Sequence, residues 1–184
     1  GDDDNGIDSG SAYVVSLAAT CTLSLTCPPN QTVDTDAGVC EATLNFTDPV
    51  MTSSDAAACN AVLTQTAGPA NGSTAALGDH TLSFEAVDDE GNMETCSFTI
   101  TVEDNEDPML MCQDIVVELD ANGEVSITAD LFVDSATDNC TVGTPFFVGN
   151  PVKDFTCADV GQSYSRKIRV KDPSDNKKTC EKTV

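Results

Sequence analysis

Acidic side chains are the most abundant residues with chemical potential in this sequence, and their spacing favours binding of a divalent cation. The chain has 31 Asp and Glu against 8 Lys and Arg, a net charge of −23. Calcium binds six to eight oxygens from carboxylates and carbonyls. The densest acidic run, Glu103 to Pro108, stands between two similar halves of the chain, which would both supply oxygens. We therefore predict a calcium site here, with these ligands: Asp88, Glu103, Asp104, Glu106 and Asp107.

A second acidic run lies at the beginning of the sequence. Asp2, Asp4 and Asp8 belong to this run and are candidate ligands for calcium, which prefers carboxylate oxygens. The run lacks the Glu that ends an EF-hand loop. For both runs the alternative interpretation is a solvated acidic turn.

The sequence does not support an enzyme. His80 is its one imidazole, and no Ser-His-Asp array is evident. Asp8-Ser9-Gly10 is like one half of an aspartic-protease site, which needs two such aspartates sharing a proton; no second half follows. The strong negative charge argues against nucleic-acid partners, and the sequence has no long apolar run for membrane insertion.

Nine cysteines are many for 184 residues, and none of them forms a CxxC pair. Zinc sites need clustered thiolates or imidazoles, so disulfides in an oxidising compartment are the better interpretation. This predicts a protein that is secreted or held at the cell surface.

The chain repeats itself with a period near 84 residues. When Cys96 is aligned with Cys180, Asp88 falls on Asp172 and Asn92 on Asn176 without a gap. Such a period indicates two copies of one domain. Three cysteines occur at equivalent positions in both copies, and each copy has one cysteine that the other lacks. This predicts one bridge that is the same in both copies. In each copy, a second and short bridge would join the third equivalent cysteine to the cysteine that the other copy lacks. The predicted bridges are Cys27–Cys96, Cys112–Cys180, Cys40–Cys59 and Cys140–Cys157.

Cys21 is left over by this scheme. An odd cysteine in a secreted chain indicates an intermolecular bridge or a free thiol, and a buried thiol in a strand is the alternative.

Short alternating segments separated by turn residues predict an all-β fold, with two tandem immunoglobulin-like β-sandwiches. The predicted segments are 1–20, 21–106 and 107–184. The last strand of 107–184 is predicted to be shorter than the last strand of 21–106. From Tyr13 to Cys27 every odd position is apolar, which predicts a long N-terminal strand. Its first part, 13–19, would extend the first sandwich, belong to a preceding domain or enter a neighbouring subunit.

Residues 25–107 resemble a hyalin repeat (HYR) domain, an immunoglobulin-like extracellular module. The resemblance rests on Cys27-Pro28, on Gly38-Val39-Cys40 and on the run from Ala86 to Val102. Residues 108–184 look like a diverged relative of the kind found in tandem in Bacteroidetes surface proteins, on the motifs Asp138-Asn139-Cys140 and Phe155-Thr156-Cys157. The acidic run at the junction is similar to the linkers of cadherin-type tandem domains.

Residues 1–17 resemble the end of an FG-GAP repeat, on the run from Asp2 to Val14. Together these resemblances imply adhesion, surface architecture or filament formation, with self-association or continuation into further repeats along a fibre. We therefore expect a structural repeat unit of an extracellular filament or adhesin stalk. The alternatives are a monomeric module that binds glycan or protein, and a spacer of a larger secreted enzyme.

Glycosylation is a further expectation for an extracellular chain. Four Asn-x-Ser/Thr sequons occur, and Asp134-Ser135-Ala136 is similar to a bacterial O-mannosylation site. The candidate acceptors are Asn30, Asn45, Asn71, Asn139 and Ser135.

Overall fold

The computed structural model describes residues 21–54, 59–151 and 153–184. Within them the chain is almost entirely β, as predicted, with 15 strands and two short 3₁₀ turns. We use the predicted boundaries as labels and call residues 21–106 module 1 and residues 107–184 module 2. Each module has its own hydrophobic core.

Module 1 is built around a four-stranded sheet in the order β2-β8-β7-β5, with two smaller strand pairs, β1-β4 and β3-β6. β7 and β8 are its longest strands, and β2 runs parallel to β8. The strands are β1 Leu23–Thr26, β2 Gln31–Asp34, β3 Glu41–Thr43, β4 Val50–Ser53, β5 Val62–Ala67, β6 Thr74–Ala76, β7 Gly78–Val87 and β8 Met93–Glu103.

Alternation of apolar residues along β7 and β8 creates the core of module 1. Leu82, Phe84, Phe98 and Ile100 point to one side and are at most 3% exposed. The Phe84 and Phe98 rings stack with centroids 6.0 Å apart, an arrangement that stabilises a core beyond simple burial. The period of two therefore places the Ser and Thr residues between them on the outer side of the sheet.

Module 2 has a three-stranded sheet in the order β12-β14-β15 and two strand pairs, β9-β11 and β10-β13. The β14-β15 hairpin corresponds to β7-β8. A 3₁₀ turn, Ala129–Phe132, buries Phe132 completely. The strands are β9 Met109–Cys112, β10 Glu124–Ser126, β11 Val133–Thr137, β12 Phe146–Phe147, β13 Asp154–Thr156, β14 Ser165–Lys171 and β15 Lys177–Thr183.

Equivalent hairpin turns in the two modules have the same hydrogen bonds. The Asn92 N–H and side-chain amide both donate to the Asp88 carboxylate, each at 2.8 Å. Asn176 donates to Asp172 through the same two groups and at the same distance. The repeat seen in the sequence is therefore a repeat of turn geometry.

Two disulfides join the first strand region of a module to its last strand, as the repeat predicts: Cys27–Cys96 and Cys112–Cys180. The sequence separations are 69 and 68 residues. Each bridge therefore closes almost a whole module, which reduces the conformational freedom of its unfolded chain.

The predicted pairs Cys40–Cys59 and Cys140–Cys157 are wrong, and Cys21 is not unpaired. Cys21 bonds to Cys59, and Cys40 bonds to Cys140 in the other module. Cys40 and Cys59 lie at opposite ends of module 1, which keeps their sulfurs apart. Cys59 lies beside the β7-β8 turn, where its carbonyl accepts the Asp89 N–H, whereas Cys40 lies at the junction. Cys157 is an exposed free thiol.

The turn before β10 makes stability sensitive to acid. Backbone N–H groups of Glu124 and Asn122 donate to the Asp120 carboxylate at 3.0 and 2.8 Å and lower its pKa below the ordinary 3.8. A depressed folded pKa contributes stability above the unfolded value, and this is lost as pH falls through the folded pKa.

We expect the free energy of unfolding to decrease as pH falls below about 4, and Asp120→Ala to reduce the size of that decrease. Urea unfolding at pH 7 and pH 3 measures both. Asp134→Ala, at an exposed position of β11, is the control. The same pH dependence in Asp120→Ala and wild type would contradict the assignment.

Candidate calcium site at the junction

The two modules meet at a short acidic connection. β8 ends at Glu103 and β9 begins at Met109, so five residues join them. Two of these are removed from solvent, since Asp104 is 3% exposed and Pro108 is fully buried. A buried aspartate is unusual unless it has partners that compensate its charge.

Three carboxylates converge at this point. Asp104 comes from the connection, Asp138 follows β11 and Asp172 follows β14. One oxygen of each lies within 4.8 Å of the others. The ends of two module 2 strands and the connection therefore contribute one carboxylate each.

Oxygens in this cluster lack hydrogen-bond donors although they are buried. Asp104 Oδ2, Asp138 Oδ1 and the side-chain oxygen of Asn139 have no partner. Leaving a buried acceptor unpaired costs about 1–3 kcal/mol, and more for a charged group. The remaining oxygens are occupied: Asp104 Oδ1 accepts the Glu106 N–H at 3.1 Å, and Asp138 Oδ2 accepts the Cys140 N–H at 3.0 Å.

Like charges surround Asp138 without a cation. Burial raises the pKa of its carboxyl above the usual value, and the negative charges of Asp104 and Asp172 raise it further. Among the described residues, the ion pairs are Lys167–Glu181 and Lys171–Asp175, and neither includes a member of the cluster. The three carboxylates thus need positive charge that these side chains do not supply.

The donor set fits calcium. An ion with Ca–O distances of about 2.3–2.6 Å holds ligand oxygens up to roughly 5 Å apart, and the cluster's oxygens lie within 4.8 Å of one another. The unpaired oxygens of Asp104, Asp138 and Asn139 are hard ligands of the kind that calcium prefers, and Asp172 adds a third carboxylate. Zinc and copper favour imidazole and thiolate, which the cluster lacks.

The amide of Asn139 also connects the modules. It donates to Thr35 Oγ1 at 3.2 Å, to the Val39 carbonyl at 3.3 Å and to Asp104 Oδ1 at 3.1 Å. The next residue, Cys140, forms the intermodule disulfide with Cys40, across a Cα–Cα distance of 4.6 Å. The candidate site and the covalent link between the modules are therefore adjacent.

Of the ligands predicted from sequence, Asp104 lies in the cluster and the others lie elsewhere. Glu106 Oε2 accepts the Gly38 N–H at 3.0 Å, and Asp107 Oδ1 accepts the Lys177 N–H at 3.3 Å, so each holds its end of the connection against its own module. Glu103 is exposed on β8. Asp88 lies in the β7-β8 turn beside Cys21. Asp2, Asp4 and Asp8 are outside the described residues.

Sequence reasoning missed Asp138, Asp172 and Asn139 as ligands. The repeat could have indicated Asp172 as a ligand. This residue is the counterpart of Asp88 and follows the junction in sequence. The Asn176 side chain donates to the Asp104 carbonyl at 2.8 Å, as the Asn92 side chain does to the Cys21 carbonyl at 3.4 Å. The Cys21–Cys59 bridge therefore occupies in module 1 the position that corresponds to the carboxylate cluster beside module 2.

The candidate glycosylation sites differ in accessibility. Asn45 and Ser135 are exposed. The Asn71 amide donates to the Phe46 carbonyl at 2.8 Å, and Asn30 Oδ1 accepts the Thr99 N–H at 2.9 Å. Asn139 is half-buried at the junction, and a glycan on its amide would displace the contacts described above.

A groove of about 710 Å³ in module 2 shares no residue with the carboxylate cluster. Two of its carboxylates are paired: the Tyr164 hydroxyl donates to Asp159 at 2.5 Å, and Thr183 donates to Asp114 at 2.7 Å through its N–H. These hydrogen bonds lower the pKa of both carboxyls and raise that of Tyr164.

Part of the chain matches a known protein family. The HYR domain family matches residues 22–102. No curated protein matches the chain. No helix in the described part of the chain has the length and apolar character needed to span a bilayer.

Among solved structures, the similar chains are extracellular cadherin domains. They include "PcdhgB3 EC1-4 in 50 mM HEPES" (15% identity, TM-score 0.33), "Protocadherin Gamma B2 extracellular cadherin domains 3-6" (11%, 0.38) and human CDH23 EC21-23 (11%, 0.40). The alignments cover 88%, 89% and 90% of this chain and 50%, 46% and 64% of those chains. The chain therefore spans about half the length of the first two.

The HYR match and the four disulfides indicate an extracellular or surface location. Because the family match ends at residue 102, it leaves the junction and module 2 to be interpreted from their own residues.

Proposed function

We propose that this chain, whose residues 22–102 match the HYR family, is a rigid structural repeat unit of an extracellular filament or adhesin stalk. The observation that carries the proposal is the junction, where two buried carboxylates, a half-buried one and a disulfide lie between two modules. A spacer transmits position and force only if its domains keep a fixed orientation. Interfaces between domains of one chain usually allow the domains to move relative to each other. A junction with a disulfide and a bound ion would restrict this motion.

Calcium would be held by Asp104, Asp138, Asp172 and the side-chain oxygen of Asn139. When bound, it supplies the positive charge that the cluster lacks. Asn139 orients the site because its amide contacts Thr35 and Val39 of module 1. An ion here would therefore hold the connection, the β11 end and the β14 end together in one arrangement.

Small-angle X-ray scattering of the 184-residue chain tests the proposal. In millimolar calcium we expect scattering of a single rigid particle. In excess chelator, with Cys40 and Cys140 both replaced by alanine, we expect the broader distribution of two modules that move independently. Equal flexibility in both conditions would contradict a rigid spacer.

The alternative function, recognition of a glycan, has less support. Sugar-binding faces commonly use exposed aromatic rings, and the chain has no Trp and two Tyr. One of these, Tyr164, packs on Phe155 with ring centroids 5.4 Å apart. Binding of the chain to a glycan array with micromolar affinity would favour this alternative over the spacer.

A further inference from the structure

Positive charge is confined to one part of this chain. All eight Lys and Arg lie between residues 153 and 182, and seven of them belong to the β14-β15 hairpin. Residues 1–152 contain none. A chain of net charge −23 therefore has one strongly basic element, and the element is ordered.

The register of the hairpin places four of these cations on its outer side. Lys167 pairs with Glu181, Arg169 with Thr179 and Lys171 with Lys177. The alternate residues, Ile168 and Val170, are fully buried on the inner side. We call the outer side the basic face; it consists of Lys167, Arg169, Lys171 and Lys177 together with Phe146 of β12, which pairs with Arg169 and is 40% exposed.

Two cations of the basic face, Arg169 and Lys177, belong to neither ion pair. Lys167 pairs with Glu181 at 3.8 Å and Lys171 with Asp175. Among the described residues, no carboxylate lies within 4 Å of the charged atoms of Arg169 or Lys177; Arg169 donates instead to the Thr179 hydroxyl at 2.9 Å. The face therefore keeps a local excess of positive charge.

The equivalent face of module 1 has the opposite sign. Because Asp88 corresponds to Asp172, Glu85 occupies the position of Arg169. Asp34 and Glu103 are paired in the β2-β8 register, and Asp79 lies on β7 on the same side. We call this the acidic face; it consists of Asp34, Asp79, Glu85 and Glu103 and the apolar row Val62, Val87 and Met93, which are neighbours across three strands.

Both faces also offer apolar surface to a partner. Val62 and Met93 are 63% and 58% exposed on the acidic face, as Phe146 is on the basic one. Isolated exposed apolar residues are ordinary, but here they accompany charges of opposite sign on equivalent sheets. The partner that fits the basic face best is therefore present in the same sequence.

We propose that the basic face of one copy binds the acidic face of a second copy, so that module 2 of one chain lies against module 1 of another. The inference rests on the proposed function and adds the contact by which units associate laterally. Two strands of seven residues and one of two cover roughly 250 Å², well below the ~800 Å² per partner of a stable interface. Each contact is therefore weak and sensitive to salt, and it gains strength when units are joined in series.

Sedimentation velocity of the 184-residue chain in millimolar calcium tests the proposal. At 0.1 M NaCl we expect concentration-dependent association. At 1 M NaCl the Debye length falls from about 10 to 3 Å, and the dissociation constant should rise at least tenfold. Arg169→Glu with Lys177→Glu should have the same effect at low salt, and so should Asp79→Lys with Glu85→Lys.

Matched controls change the same charge on other surfaces. Lys178→Glu with Lys182→Glu alters the inner side of β15, and Glu41→Lys with Asp48→Lys alters exposed residues outside the acidic face. Each control should keep the dissociation constant within twofold. A mixture of the two face variants should associate again, because the exchanged charges are complementary, whereas a folding defect would not be rescued.

A wild-type chain that stays monomeric at 0.1 M NaCl would overturn the inference, and so would controls that weaken association as much as the face variants. Binding of an acidic polysaccharide to the basic face without self-association would also overturn it. Scattering recorded on the same samples separates the two proposals: a rigid monomer contradicts only the lateral contact, and a flexible chain contradicts the rigid spacer.

Discussion

Saturating calcium is expected to raise the melting temperature of this protein by roughly 3–10 °C. Extracellular calcium modules bind with dissociation constants of about 10⁻⁴–10⁻³ M, so 10 mM calcium would contribute roughly 1.4–2.7 kcal/mol. For a chain of this length one kcal/mol shifts the melting temperature by about 2–4 °C. Calorimetry in calcium and in excess chelator measures the shift.

The Asp138→Asn substitution should have opposite effects on stability in the absence and in the presence of calcium. Without calcium, the amide removes a charge that Asp104 and Asp172 repel, so the variant should be at least as stable as the wild type. With calcium, it removes a ligand, so most of the stabilisation should be lost. Asp134→Asn, at an exposed position of β11, should respond to calcium as the wild type does. An undiminished calcium response in Asp138→Asn would contradict the site.

Removing the intermodule disulfide is expected to have the largest single effect on stability. Cys40 and Cys140 are 100 residues apart, and a loop of this length corresponds to about 4–5 kcal/mol on the chain-entropy model. Replacing both by alanine should separate one unfolding transition into two, because the modules then unfold independently. Calorimetry in chelator, where calcium cannot compensate, is the sharpest measurement.

Cys157→Ala is the control for that experiment, since Cys157 is exposed and unpaired. It should leave the transition unchanged. Peptide mapping under non-reducing conditions checks the pairing independently, and a Cys40–Cys59 peptide would contradict it. A single unaltered transition in the double alanine variant would show that the bridge does not couple the modules.

The parts of the fold that could be predicted from sequence are those that repeat. The correspondence of Cys96 with Cys180 predicts two last strands and two bridges to the first strand regions, because equivalent positions in two copies fold alike. Alternation along β7 and β8 predicts the core, since the period of a strand alone decides which side each residue faces.

The bridges at the ends of the modules could not be predicted in this way. The shortest loops suggest Cys40–Cys59, but loop length says nothing about which end of a sandwich a cysteine occupies. Cys40 and Cys140 meet only because module 2 is placed against module 1. That placement depends on contacts such as Asn139 with Val39, which link residues 100 positions apart.

The ligands of the candidate site are hidden from sequence for a related reason. Asp104, Asp138 and Asp172 are separated by more than thirty residues from one another. Each stands next to unremarkable turn residues, and a carboxylate in an acidic chain carries little signal. The acidic connection drew attention to Asp104, whereas the partners that complete the cluster come from the ends of two strands.

The disulfides that span each module also decide how a pulling force would travel through the molecule. Tension entering ahead of Cys27 passes through sulfur to Cys96, continues along the connection to Cys112 and crosses to Cys180. The polypeptide between the cysteines of each bridge is bypassed, so the hydrophobic cores carry almost no load. Under tension such a unit would behave as a nearly inextensible link, and its compliance would be confined to residues 97–111, which run from β8 through the connection to β9.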